Sequence, residues 1–246
     1  MPIVRTNQLV AQSLESLAGP FDIRLDKVGV EDSNGESLLS DISLNFRPGE
    51  FVAFRGENGS GKSVLANIIA AKGFRDEAPT QGSVSYGGVD VYSLPKAERT
   101  KLRSEWLGIV LQKSEFGLVP NLTVMRNLRF AANFRCVDID EDALTDAIDY
   151  YDLGGLLNKP IKPLSGGVKR RISYAKAEVT NPRVIVMDEP AAALSPQAAD
   201  KLHYRLYSLA AYRGKTVIIV SHEREPVAQR TIEVSQGSIL SDTADL

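Results

Sequence analysis

"GENGSGKS", Gly56 to Ser63, decides the fold. It fits the pattern G-x-x-x-x-G-K-[ST]. The apolar run "FVAF" precedes it, and "SVLANIIAAKG", apolar at helical spacing and ending at Gly73, follows. Strand, loop and helix in that order are the context in which the pattern binds phosphate. Glycines let the backbone of Gly56, Glu57, Asn58, Gly59, Ser60 and Gly61 wrap closely with its N–H groups inward, at a helix start that favours an anion. Lys62 can reach the β- and γ-phosphates of a nucleotide, and Ser63 can offer its hydroxyl to Mg2+. The bland alternative is a chance Gly-rich turn, and the flanking strand and helix argue against it.

Three more short apolar runs stand downstream: "LGIVLQ" ending at Gln112, "VIVMDE" ending at Glu189, and "VIIVSH" ending at His222. They read as strands buried on both faces of a parallel sheet. Such sheets place ligands at the carboxyl ends of their strands. Asp188 would hold Mg2+ through water there, and Glu189 would polarise the attacking water as general base. Adjacent carboxylates can also be a solvated turn, a reading that weakens beside a phosphate loop. Gln112 and His222 end the other two runs, where a polar residue often simply meets solvent. With a phosphate loop nearby, both can instead converge on the γ-phosphate. Gln112 would then contact Mg2+ and the attacking water, and His222 would donate to the γ-phosphate as charge builds.

Between the strands lie helical patterns. "DEDALTDAIDYYDLGG" has Asp140 as its cap, acids in its first turn, and Gly154–Gly155 as its expected stop. Strands alternating with helices give an α/β class. Residues 21–50 and 82–92 alternate in polarity around "SNGES" and "YGGVD" and predict antiparallel hairpins. Residues 113–162 read as a helical insertion. Leu9, Val10, Leu14 and Leu17 sit at helical spacing and predict a short amphipathic helix.

Composition narrows the function classes. The 246 residues suit one large domain or one with an inserted subdomain. A net charge of −2 gives no global pull toward nucleic acid, and none is expected as a partner. The single cysteine, Cys136, excludes an internal disulfide and a cysteine metal cluster. The first residues lack the apolar core of a signal peptide, and no apolar run approaches the roughly 20 residues that span a bilayer. A cytoplasmic location is expected, with any membrane attachment through a partner.

"PLSGGVKRRIS", Pro163 to Ser173, is an odd helix start. Ser165 can cap it, two glycines follow, and then Lys169, Arg170 and Arg171 crowd an end that already carries partial positive charge. Either this is a solvated basic face or an anion sits on it.

Taken in order, "GENGSGKS", Gln112, "LSGG", "VIVMDEP" and His222 resemble the nucleotide-binding subunit of ABC transporters, nearest the lipoprotein-releasing and macrolide-type export branch. The resemblance spans about residues 21–240. It implies a RecA-like P-loop NTPase core with an antiparallel β-subdomain and an inserted helical subdomain. The expected partition is an N-terminal extension at 1–20, the β-subdomain and first part of the core at 21–112, the helical subdomain at 113–170, and the rest of the core at 171–246. It further implies two such domains, identical or homologous, packed head to tail with ATP and Mg2+ between them. Ser165, Gly166 and Gly167 would then touch the γ-phosphate of a nucleotide bound mainly by the partner. Integral membrane permease subunits would hold the pair at the cytoplasmic face of the membrane.

Three positions depart from the family pattern. Val168 replaces the Gln that usually follows "LSGG". Ser195 stands where the family has an Asp that links the two sites. No aromatic residue precedes the P-loop strand to stack adenine, which leaves Val30 or a loose hold. "FGLVPNL", with Phe116, Leu118, Val119 and Leu122, corresponds to the surface that receives a short helix of the membrane subunit; burial within the helical subdomain is the alternative. Thr123 is expected to cap the following helix. A soluble ABC-type ATPase, such as one serving iron–sulfur cluster assembly, is the alternative function. DNA-repair and translation members fit poorly, because the 113–162 interval is too short for a long coiled coil and the chain holds one set of motifs.

Overall fold

The computed structural model of the chain describes residues 21–75, 77–110, 117–135, 139–192, 194–222 and 225–245, with only the backbone of 131–135 and 245. The predicted N-terminal helix, Gln112, Phe116 and Cys136 lie outside the described residues. Two sheets are formed among the described residues. An antiparallel sheet has the order β2-β1-β4-β5, from β1 (Ile23–Glu31), β2 (Ser37–Phe46), β4 (Gln81–Tyr86) and β5 (Val89–Asp90). A six-stranded sheet has the order β10-β9-β3-β8-β7-β6, from β3 (Phe51–Arg55), β6 (Leu107–Val110), β7 (Val184–Asp188), β8 (Thr216–Val220), β9 (Arg230–Ser235) and β10 (Ser238–Asp242). Its strands run parallel except β10, which pairs antiparallel with β9.

The burial of each strand matches its sequence. Along β1, Ile23 and Leu25 face inward while Arg24 and Asp26 face out, the alternation of a half-covered sheet. Every residue of β7 and β8 is buried, because both faces of the parallel sheet are covered. Val52, Phe54, Val186, Ile218 and Val220 pack toward the antiparallel sheet and α1 (Lys62–Ile69). The intervening Phe51, Ala53, Ile185, Met187 and Ile219 pack toward the helical side, with Leu128, Leu144, Ile172 and Leu206.

Turn chemistry closes the two hairpins as predicted. Asp32 accepts from the backbone N–H groups of Asn34 (2.8 Å) and Glu36 (2.9 Å), which fixes the "SNGES" turn. Gly87 and Gly88 both take positive φ, 54° and 86°, joining β4 to β5 by the mirror-image turn that suits a twisted hairpin.

Among the described residues five further α-helices follow α1: α2 (Lys96–Trp106), α3 (Val124–Arg135), α4 (Glu141–Tyr150), α5 (Gly166–Glu178) and α6 (Pro196–Ala211). Asp140 caps α4 by accepting from Ala143 N at 2.9 Å. The expected stop at Gly154–Gly155 is corrected: Asp152, at φ 51°, ends the helix, and Leu153 N–H returns to Ile148 O at 2.9 Å. Aspartate tolerates the left-handed conformation, so the glycines are released into a separate 3-10 turn, Gly154–Leu156. Helix α1 likewise closes before Gly73, through Ala71 at φ 52°. Gly73 is required one step later, where an added Cβ would lie 1.9 Å from Glu77 O.

A buried ionic cluster locks α4, α5 and α6 together. Arg205 donates to Glu178 Oε2 through Nε at 3.0 Å and Nη2 at 2.6 Å, and also pairs with Asp146. Tyr151 donates to the other Glu178 oxygen at 2.6 Å. Arg205 and Glu178 are both 4% exposed. Burial pushes the Glu178 carboxyl up, and Arg205 beside it pulls the other way. Arg205→Ala would strand that carboxylate, so we expect a loss of about 3–5 kcal/mol. A urea midpoint shifted downward at constant slope would show it.

Candidate nucleotide site

The phosphate loop is built by glycines that no other residue could replace without strain. Gly56 has φ 151°, and an added Cβ would lie 2.1 Å from Val234 O. Gly61 has φ 102°, and its Cβ would crowd the Leu39 side chain at 2.9 Å. The turn between β9 and β10 supports the loop from behind: Gly237 N donates to Ser60 O at 3.0 Å. Lys62 folds back over the loop, donating from Nζ to Gly56 O (2.8 Å), Glu57 O (2.6 Å) and Ser60 Oγ (3.3 Å). Lys62 is 4% exposed. Burial lowers its pKa, opposed by the charges of Glu189 and Asp188.

Asp188 and Glu189 emerge at the carboxyl end of β7, beside this loop. Asp188 is buried and its pKa is raised by that burial, with a hydrogen bond from Ser63 acting in the opposite sense. Its Oδ1 is buried with no hydrogen-bond partner among the described residues. A hydroxyl and a carboxylate with an oxygen to spare form a hard-oxygen pair of the kind Mg2+ takes alongside phosphate and water. Glu189 has φ 49°, an outlier for a residue with a side chain, and its N–H donates to Val220 O at 2.9 Å. That twist swings its carboxylate out of the sheet to accept from Nε2 of His222, at the end of β8. A carboxylate joined to an imidazole at the mouth of a phosphate loop can orient a water and handle a proton.

Asp188 lies buried next to Glu189, and Gly59, Lys62, Ser63, Glu189 and His222 line one cleft of about 550 Å3. Ser165, Gly166 and Gly167 are not in it. Ser165 and Gly167 line a second cleft of about 500 Å3, with Tyr174, Leu194 and Ser195. Ser165 caps α5 by accepting from Val168 N at 3.4 Å, and added Cβ atoms on Gly166 and Gly167 would meet nothing within 4 Å. Much of the basic charge at this helix start is directed at carbonyl groups. Lys169 donates to Lys162 O at 3.1 Å, Arg170 to Ala192 O, and Arg171 to Tyr151 O at 2.8 Å. The cap and the two glycines are left presented on an open surface.

One sequence reading changes. Val30 is 2% exposed and packed in the core opposite Leu39, so its side chain does not face the cleft. Leu38 and Phe74 line the cleft instead. Neither carried a signal in the sequence, because only the packing of β2 and the loop after α1 brings them to the phosphate loop. In the "FGLVPNL" loop, Leu118 is buried. Asn127, fully buried, binds the loop by accepting from Val119 N at 2.7 Å and donating to Val119 O at 3.1 Å. Thr123 caps α3 by accepting from Arg126 N at 3.3 Å. Ser195 caps α6 by accepting from Ala198 N at 3.3 Å.

The family model described as ABC transporter matches residues 39–192. The chain belongs to the ABC transporter family. The cassette is 36% identical over 234 residues to the macrolide export ATP-binding/permease protein MacB of Brucella abortus, covering 92% of this chain and 35% of that protein. It thus spans about a third of the length of such macrolide exporters. It is 33% identical over 228 residues to the ABC transporter ATP-binding protein MJ0796 of Methanocaldococcus jannaschii, covering 88% of this chain and 94% of the relative. The dimeric post-hydrolysis structure of MJ0796 bound to ADP and phosphate superposes with a TM-score of 0.79 at 30% identity, covering 89% of this chain and 97% of that one. The cassette is an ABC-type ATPase domain, similar in sequence to the ATP-binding part of macrolide export proteins.

Proposed function

We propose that this cassette powers a membrane transport machine by closing on a second nucleotide-binding domain around ATP and reopening after hydrolysis. One observation carries the reading: Asn58–Ser63 of the phosphate loop, Glu189 and His222 line one cleft, while Ser165 and Gly167 line another. A phosphate-binding serine and glycine pair that does not reach its own chain's nucleotide fits a nucleotide brought by a partner. The second domain is a copy of this chain or a homologue. Among the described residues no helix is long and apolar enough to cross a membrane. The cassette attaches at the cytoplasmic face through integral permease subunits, and residues 117–122 belong to the surface that meets them. No nucleic acid takes part. Residues 1–20 form an extension, 21–112 the β-subdomain and first part of the core, 113–170 the helical subdomain, and 171–246 the rest of the core.

Within the site, the N–H groups of Gly56–Ser63 cradle the phosphates and Lys62 bridges the β- and γ-phosphates. Ser63, Asp188 and Gln112 would hold Mg2+, which would neutralise charge on the phosphates; the spare oxygen of Asp188 supports that fit. Glu189 orients the attacking water and accepts its proton. His222 steadies that carboxylate and donates to the γ-phosphate as charge accumulates.

Ser165→Ala removes the hydroxyl without changing charge. The expected result is a tenfold or greater fall in ATPase rate, with ATP affinity of the isolated chain within twofold of the original. Calorimetry and a phosphate-release assay separate the two quantities. Collapse of ATP binding in the isolated chain would mean that the contact is made within one chain. Gentle membrane solubilisation of the tagged chain is expected to bring down a polytopic partner. Recovery with soluble scaffold proteins alone would defeat the transport reading.

A further inference from the structure

We infer that the base of the nucleotide packs against Phe74, in the loop after α1, and not against a residue of β1. The inference rests on the nucleotide reading of the cleft given above. The phosphates need the N–H groups and Lys62, so the base must use the apolar part of the wall. That part is Leu38, Val64 and Phe74, and Phe74 is the only Phe, Tyr or Trp among the described residues lining the cleft. Val30 is spoken for by the core, as its 2% exposure shows.

Phe74 is held ready for this contact. Its ring is half-buried against the core, so part of its surface is covered and part faces the cleft. Its carbonyl accepts from Glu77 N at 2.9 Å, and the close approach of Glu77 to Gly73 leaves no room for a side chain there, so the loop is tightly folded. The guanidinium of Arg75 lies 5.2 Å from the ring centroid. Arg75 also donates to Ser33 Oγ at 3.3 Å, tying the loop to the rigid Asp32 turn between β1 and β2. An aromatic surface fixed from two sides loses little freedom when a base settles on it. Packing on an aromatic ring accepts either purine, because each presents a π-face, so the site discriminates weakly between ATP and GTP.

The test compares Mg-ATP with Mg-tripolyphosphate, which lacks base and sugar, by calorimetry on the full chain. Phe74→Ala should weaken ATP binding about tenfold or more, in the range that loss of one base–aromatic contact gives, and leave tripolyphosphate within twofold. Unchanged ATP affinity, or an equal loss for both ligands, would overturn the inference. Phe74→Trp offers a second readout, since the chain has one native tryptophan, Trp106, already packed in the core. ATP should quench the new emission and tripolyphosphate should not; no quenching by ATP overturns the assignment. Lys62→Ala acts as the control for the cleft itself. If it weakens both ligands while Phe74→Ala weakens neither, only the base contact is wrong. If Lys62→Ala weakens neither, the nucleotide reading fails and the base contact with it.

Discussion

Lys62→Ala should abolish tight ATP binding, raising Kd by more than a hundredfold. In the structure the ammonium group is engaged by three oxygens of its own loop, Gly56 O, Glu57 O and Ser60 Oγ, at 2.8, 2.6 and 3.3 Å. It is therefore held where the phosphates arrive, with little side-chain entropy left to lose. Two charge-assisted hydrogen bonds to phosphate oxygens contribute about 1.5–3 kcal/mol each, so their loss amounts to about 3 kcal/mol or more. Alanine also frees the loop carbonyls that Lys62 gathers, so the loop loses its brace. A urea titration run beside the binding assay distinguishes the two effects. The expected variant stays folded and no longer retains nucleotide. Undiminished affinity in a folded variant would refute the role of Lys62.

Much of this arrangement was legible in the sequence because it is local. The phosphate loop is one uninterrupted segment whose glycines each answer a backbone need, as the crowding at Gly56 and Gly61 shows. The strands beside it are short apolar runs with a single consistent reading. The end of α4 was misplaced because Asp152 adopted the conformation expected of Gly154. Which residue uses a left-handed position is settled by packing, and a Gly-Gly pair a few residues on is a tempting decoy. The base wall was illegible for a different reason. Val30 lies beyond an irregularity at Lys27, φ 51°, after which Val28, Gly29 and Val30 are all buried, and Phe74 reaches the cleft through a tertiary fold of the loop after α1. The basic helix start was half legible. Its cap and glycines were plain, but the carbonyl partners of Lys169, Arg170 and Arg171 come from Lys162, Ala192 and Tyr151, which no local pattern brings together.

Glu189→Gln should reduce ATP turnover by about 10²–10⁴-fold, the span general-base catalysis supplies, and leave ATP affinity nearly unchanged. The amide is isosteric with the carboxylate and keeps the backbone at φ 49°, with its N–H still donating to Val220 O at 2.9 Å. It can still meet His222 Nε2, so the geometry of the pair survives while the capacity to take a proton from water is lost. Holding a side-chain-bearing residue at that φ costs about 1–3 kcal/mol, a cost that glycine would avoid; the fold bears it to bring the carboxylate to His222. If hydrolysis is what reopens the closed pair, blocking it must leave the closed state populated. Light scattering with ATP should then show a doubled mass for Glu189→Gln and a single-chain mass for the parent during turnover. A variant that stays monomeric with ATP and turns over normally would show that Glu189 does not activate the water. A variant that is inactive but still monomeric would keep Glu189 in the chemistry and assign the second domain to a different chain. That outcome would fit the two departures from the family pattern, Val168 in place of Gln and Ser195 in place of Asp.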